Sequence, residues 1–401
     1  MAAASPAVAP INGGSSSSPA PALPAAAAPP PSSVVPASFP ASIPHLFAGQ
    51  PLAAQMGPAG KVGRFPGCKG TELASYWWPA GQAAAAGPAP TTTTPTTTPA
   101  TATPPPAKAV VLFVHGHGSY AMHEVLAITA PGTPPVYAGS WVAAWNAAGF
   151  SVAALDARGA GFSGGTRCFC EAFDDYTADV AAFAAHTHAA GGPGFGGLPI
   201  FLVGVSLGGC IAVHVLEGGW VPPPPPPGAA VDPALARPRP PGPAPYLRGA
   251  VLLAPMLALD ALTARGWNRV LSAAGAVISV LAPKARVARM PKNTLHPDLQ
   301  ALWDADPLCW HAPTRARNGM EYLRVTRGLA ARTPAMAFPF LAFHGDADTL
   351  TDPAGTAAFC AAAGSADKTF ASLPGRWHVL VREPGNEALL GRIIQWCDER
   401  L

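Results

Sequence analysis

Ile200-Phe201-Leu202-Val203 runs without a polar break into Gly204-Val205-Ser206-Leu207-Gly208. Four apolar residues without alternation fit a strand covered on both faces, the mark of a parallel sheet. The next segment, Leu207 to Leu216, is compatible with a helix. A GxSxG pattern between a strand and a helix is the setting of a nucleophile elbow, a sharp turn that holds a serine at the C-terminal end of a strand. Side chains at Gly204 and Gly208 would clash inside such a turn. The pattern alone is weak, because a chain of this composition is expected to carry about 0.2 matches by chance. The strand before it and the helix after it supply the specificity; the bland alternative is a small-residue turn around a buried serine.

The same strand form recurs on both sides of this segment. Val110 to Val114 is closed by His115-Gly116-His117-Gly118, Ser151 to Leu155 by Asp156, Ala250 to Leu253 by Pro255, and Phe338 to Phe343 by His344. Helix-compatible stretches lie between them, among them Trp141 to Ala148 and Tyr176 to His186. Strand–helix alternation of this kind predicts an α/β fold with a doubly wound, mostly parallel sheet. The polar residues of interest all follow a strand's C-terminal end, the edge where such sheets bind ligands. Residues 70–78 partly alternate and read as a further strand. Residues 257–337 separate two strands by more than one crossover helix needs, and a helical cap over the strand ends is expected there.

A serine hydroxyl needs a base within hydrogen-bond reach, and the base needs an orienting carboxylate. In a sheet with this elbow the chain order is serine, then acid, then histidine. Asp346 and Asp348 follow the strand ending at Phe343, and His378 follows the strand-like stretch Thr369 to Leu373. Of eleven histidines, His378 alone lies on a loop after the last strand. The expected triad is Ser206, Asp348 and His378, with Asp348 preferred to Asp346 and Asp352, which suit capping of the turn and of the helix at Pro353. A tetrahedral intermediate also needs backbone N–H donors. Leu207, after the nucleophile, and His117, on the loop after the early strand, are the candidates; His115 reads as a structural hydrogen-bonder.

Composition sets the frame. Of 401 residues, 50 are Pro and 42 are Gly, and much of the Pro sits in low-complexity stretches at 1–61, 83–107 and 221–245. About 290 ordinary residues remain, enough for one domain spanning 62–401 with two insertions and the cap at about 257–337. A net charge of +3 carries no nucleic-acid footprint. Seven cysteines, an odd number without a CxxC pair, fit a reducing compartment. Cys168-Phe-Cys170 resembles half of a metal site, but no second half with ligand spacing follows, and neither a metal nor an organic cofactor is expected. Residues 1–60 contain no Lys, Arg, Asp or Glu, which argues against a secretory leader and makes a chloroplast transit function the weaker expectation beside a cytoplasmic one.

These motifs, taken together, resemble the monoglyceride lipase and lysophospholipase-like branch of the serine α/β-hydrolases, plant members included. The matching stretches are His115-Gly116-His117-Gly118, Asp156 to Gly164, Gly204 to Gly209, Asp306-Pro307-Leu308, His344 to Thr349, and Asp367-Lys368-Thr369 leading to His378. The resemblance implies the α/β-hydrolase fold, Ser206, Asp348 and His378 as triad, His117 and Leu207 as oxyanion donors, and a mobile cap over an apolar acyl tunnel. It implies cleavage of a lipid monoester through an acyl-enzyme, with the esters of hydroxycinnamates, acyl transfer to an alcohol, and a non-catalytic receptor as alternatives. The chain departs from the family at Val205, often polar there, at His117, often small, and in the cap outside Asp306-Pro307-Leu308. In the cap, Trp267, Val270, Leu271, Ala274, Val277, Ile278 and Leu281 share one helical face. That face either packs on the domain or meets a membrane or lipid droplet, with Arg265, Arg269, Lys284 and Arg286 near the headgroups.

Overall fold

A computed structural model describes residues 55–81, 106–192, 194–218, 244–259 and 267–401. The low-complexity stretches expected at 1–61, 83–107 and 221–245 therefore lie almost wholly outside the described residues. The described chain already packs at Met56, which is buried. It then forms β1 (Lys61–Pro66) and β2 (Glu72–Trp78), an antiparallel pair.

The remaining strands of the main sheet are β3 (Ala109–Val114), β4 (Phe150–Leu155), β5 (Ile200–Val205), β6 (Leu247–Leu253), β9 (Phe340–Gly345) and β10 (Lys368–Leu373). The eight lie in the order β1-β2-β4-β3-β5-β6-β9-β10. β2 meets β4 antiparallel, and every pairing from β4 onward is parallel. This is the mostly parallel sheet predicted from the unbroken apolar runs. All six residues of β3, β4, β5 and β9 are buried. Along β3, Val110, Leu112 and Val114 enter one core layer and Ala109, Val111 and Phe113 the other. The first layer is covered by α3 (Phe173–Ala190), α4 (Leu207–Glu217) and α8 (Pro353–Ala362), the second by α1 (Ala121–Val125), α2 (Trp141–Ala147) and α9 (Asn386–Asp398).

Between β6 and β9 the chain forms α5 (Trp267–Leu281), β7 (Arg286–Ala288), α6 (Pro297–Ala305), β8 (Thr314–Arg315) and α7 (Ala316–Arg332). β7 and β8 make a small antiparallel pair that the sequence reading did not contain. α5 lies so close to α7 that a Cβ at Gly275 would stand 2.8 Å from Met320 Sδ. Ser279 is buried. Of the apolar face expected for α5, Ala274, Val277 and Leu281 are exposed and Ile278 is half-buried. No helix among the described residues is long and apolar enough to cross a membrane.

Candidate active site

Ser206 stands between β5 and α4 with φ 54° and ψ −117°, a conformation that an L-residue holds only under compulsion. The glycines around it show the source of the compulsion. A Cβ at Gly204 would lie 2.4 Å from the Gly208 carbonyl oxygen, and one at Gly208 would lie 2.0 Å from the Val114 carbonyl oxygen. The turn is fixed from outside as well. Ser206 N–H donates to Leu253 O at 2.9 Å, and Ser206 O accepts from Met256 N–H at 2.9 Å.

Asp348 follows β9 and His378 follows β10, neighbouring parallel strands whose ends bring the two loops together. His378 Nδ1 is 2.7 Å from Asp348 Oδ2. The same oxygen accepts from Thr351 Oγ1 at 2.7 Å and faces His344 Nε2 at 3.0 Å. Its partner oxygen accepts the N–H groups of Leu350 and Thr351. Burial alone would raise the Asp348 carboxyl. The His378 charge and these hydrogen bonds outweigh it and hold Asp348 well below the ordinary carboxylate range. Burial likewise depresses His378, but the charge and hydrogen bond of Asp348, with Glu124 and Glu383 further off, leave it raised. Thr351 Oγ1 also reaches Ala254 O at 3.3 Å, one residue beyond the carbonyl that holds Ser206 N–H, so the acid is tied to the elbow through the end of β6. Among the described residues the Ser206 hydroxyl has no hydrogen-bond partner; bonds of this kind commonly tighten only when substrate is bound. Asp346 instead accepts Gly375 N–H at 2.7 Å, and Asp352 caps α8.

The loop after β3 lies beside the elbow, with a Cβ at Gly116 falling 3.3 Å from Ser206 Cβ. Among the described residues neither His117 N–H nor Leu207 N–H is taken by an acceptor. The loop is braced from three sides. His115 Nδ1 donates to Gly116 O at 2.8 Å, while its Nε2 accepts Ala157 N–H at 2.9 Å. Glu124 Oε1 accepts Gly116 N–H at 2.8 Å. The His117 ring is held from the segment between β6 and β9, 2.9 Å from Tyr322 Oη and 3.2 Å from Thr314 Oγ1. Cys170 N–H donates to Asn318 Oδ1, so the Asn318 amide donates to Tyr322 Oη. Burial lowers both His115 and His117 to about 4, so both rings are neutral. A small cleft opens here against His117, Leu207, Cys168, Arg167 and Trp310.

Asp156, in the loop after β4, is a buried clasp: it accepts from Tyr76 Oη, Ala121 N–H and Phe162 N–H at 2.7–2.9 Å. Cys168 and Cys170 do not act as a pair. Cys168 Sγ lies against the His117 ring, whereas Cys170 Sγ donates to Ala172 O. Among the described residues, His123, Asp306 and Cys309 gather ligand atoms within 4.8 Å of one another. Asp306 there already accepts from Tyr120, His123 and Leu308, and the Arg382 guanidinium donates to His123 O, a poor setting for a cation. His344, Thr351, Tyr322 and Glu124 were not singled out from the sequence. His344 lies inside the quoted His344 to Thr349 motif; the other three carry no local signal.

An eight-stranded, mostly parallel sheet with an elbow serine at the end of β5 and an acid and a histidine after β9 and β10 defines an α/β-hydrolase. The model of the hydrolase family described as serine aminopeptidase, S33 matches residues 134–222 and 228–385, and the chain belongs to that family. Mouse monoglyceride lipase is 26% identical over 208 residues, 51% of this chain and 60% of that protein. The chain thus spans about 60% of the length of that relative. The monoacylglycerol lipase of Mycolicibacterium smegmatis is 26% identical over 264 residues, 64% of this chain and 81% of that protein. The crystal structure of Paleococcus ferrophilus monoacylglycerol lipase shares the fold, with a TM-score of 0.58 at 19% identity over 82% of this chain and 99% of that one.

Proposed function

We propose that this chain is a serine carboxylester hydrolase cleaving a lipid monoester, a monoacylglycerol or a lysophospholipid. The observation that carries the reading is the 2.7 Å bond from His378 to Asp348 beside a serine locked at φ 54°. Ser206 attacks the ester carbonyl as His378 takes its proton, and Asp348 steadies the imidazolium. The N–H groups of His117 and Leu207 receive the oxyanion. His378 returns the proton to the leaving alcohol and then activates the water that frees the fatty acid. None of these steps calls on a metal or an organic cofactor. Relatives named as monoglyceride and monoacylglycerol lipases support the substrate class.

We place the catalytic unit at residues 62–401, with the segment at about 257–337 as its cap. The open face of α5 supports contact with a membrane or droplet surface. Ser206→Ala and His378→Ala are each expected to lower turnover of a short p-nitrophenyl ester by roughly 10⁴-fold, and Ser206→Ala to abolish fluorophosphonate labelling. A tenth of wild-type activity in either variant would remove the mechanism. Ranking of monoacylglycerols, lysophospholipids and hydroxycinnamate esters by kcat/KM tests the substrate, and a preference for hydroxycinnamates would overturn it.

A further inference from the structure

Glu124 projects from α1 beneath the oxyanion loop, and nothing in the triad mechanism uses it. One of its oxygens, Oε1, accepts Gly116 N–H at 2.8 Å. The other, Oε2, is sealed from solvent and makes no hydrogen bond of normal geometry among the described residues, with the Ser119 hydroxyl beside the carboxylate. A buried carboxylate with a vacant oxygen is costly, so its retention here calls for a role. Its surroundings give one. A Cβ at Gly116 would fall 3.1 Å from Glu124 Oε1 and 3.3 Å from Ser206 Cβ, which puts the carboxylate directly behind the loop that faces the serine. The titratable and polar groups it meets are His378 and Arg382 from the segment after β10, Cys309 from the segment after α6 and Ser119 from its own loop. His378 in turn faces Asp348, Glu124 and Glu383.

We propose that Glu124 is a positioning residue that serves both halves of the site, clasping the oxyanion loop through Gly116 N–H and lending His378 a second negative charge beside that of Asp348. This rests on the ester-hydrolase reading only for its kinetic consequence. With Gly116 N–H held, the next peptide N–H, that of His117, is kept facing Ser206. With a carboxylate near the ring, the imidazolium that forms when Ser206 loses its proton is stabilised. Burial raises Glu124 itself to about 7, with Gly116 N–H, Ser119, His378 and Arg382 pulling against that rise, so its charge develops above that value and fades as the solution is acidified.

Two variants separate the roles. Glu124→Gln keeps an oxygen for Gly116 and removes the charge. The acid limb of kcat/KM, and the His378 imidazole titration followed by NMR, should both move down by about half a pH unit, because a charge that favours the protonated ring has gone. Glu124→Asp keeps the charge and withdraws the acceptor. Its limb should stay in place while kcat falls about tenfold or more and KM changes less than about threefold. A His378 titration unmoved in Glu124→Gln would overturn the electrostatic role, and an unchanged kcat in Glu124→Asp would overturn the clasp. If the wild-type chain neither turns over esters nor takes up fluorophosphonate, the hydrolase reading fails, and the NMR titration still decides whether Glu124 acts on His378.

Discussion

A methyl group at position 208 would sit 2.0 Å from the Val114 carbonyl oxygen, closer than any non-bonded contact allows. β3 is clamped between β4 and β5 and cannot retreat, so Gly208→Ala must lift the start of α4. That shift carries Leu207 N–H and Ser206 with it. We expect Gly208→Ala to cut kcat/KM at least about 100-fold, the scale of losing one oxyanion donor, and to slow fluorophosphonate labelling in step. Labelling at the wild-type rate would show that the turn tolerates a side chain. Gly204 and Gly208 are legible in a sequence because both fall inside the five-residue GxSxG pattern, although the carbonyl that excludes a side chain at 208 lies on β3. Glu124 and Tyr322 are not. Glu124 meets Gly116 only because α1 is a single short turn of helix, and Tyr322 meets His117 only across 205 residues of chain. Choosing Asp348 over Asp346 was a matter of reach: two residues of turn separate the carboxylate that finds His378 from the one that holds Gly375.

At the scale of elements, legibility follows burial. Parallel strands covered on both faces write themselves as unbroken apolar runs, and β3, β4, β5, β6 and β9 were readable for that reason. β1 was not: it is an edge strand in which only Gly63 and Phe65 are buried, so its polar residues hide it. β7 and β8 are too short to leave a period. For α5 the periodicity gave the apolar face but not its direction, since a helix face can meet a protein or a lipid with equal chemistry. The structure leaves Val277, Val280 and Leu281 60%, 68% and 79% exposed, with Lys284, Arg286 and Arg289 exposed just beyond. Three exposed aliphatic side chains beside three cations suit the interface of an anionic bilayer. Replacing Val277, Val280 and Leu281 together by Ser should weaken binding to phosphatidylserine-containing vesicles about tenfold or more. Hydrolysis of a short soluble ester should be untouched, because none of the three reaches the elbow. Equal vesicle binding by the variant would discard the membrane role of α5.

For the molecule as a whole, the buried ionisable groups set a pH dependence that differs from that of the chemistry. Burial lowers His115 and His117 to about 4, and burial with Arg332 and Arg324 lowers His214 to about 3; His123 and His186 are lowered as well. Each stays neutral in the native state while the unfolded chain binds a proton below about 6.5, so each contributes stability that is lost as pH falls from 6.5 toward its folded value. Three buried carboxyls act in the opposite sense. Glu124 is raised to about 7 and Asp156 to about 6, and Asp179 is raised as well, all chiefly by burial. The unfolded chain releases those protons first, so stability declines as pH rises from about 4 to their folded values. His378, also raised, adds a further decline above 6.5. Five histidines outweigh three carboxyls below pH 6.5, and only the declining contributions remain above it. The urea midpoint should therefore climb from pH 4.5 to a maximum near pH 6.5 and then level or fall. Ester turnover should keep rising beyond that maximum, because His378 must lose its proton at a value above the ordinary histidine range before it can act as base. His214→Gln, distant from the elbow, should flatten the climb in stability without moving the rate profile. A stability maximum that coincides with the plateau of kcat/KM would contradict this account of the buried charges.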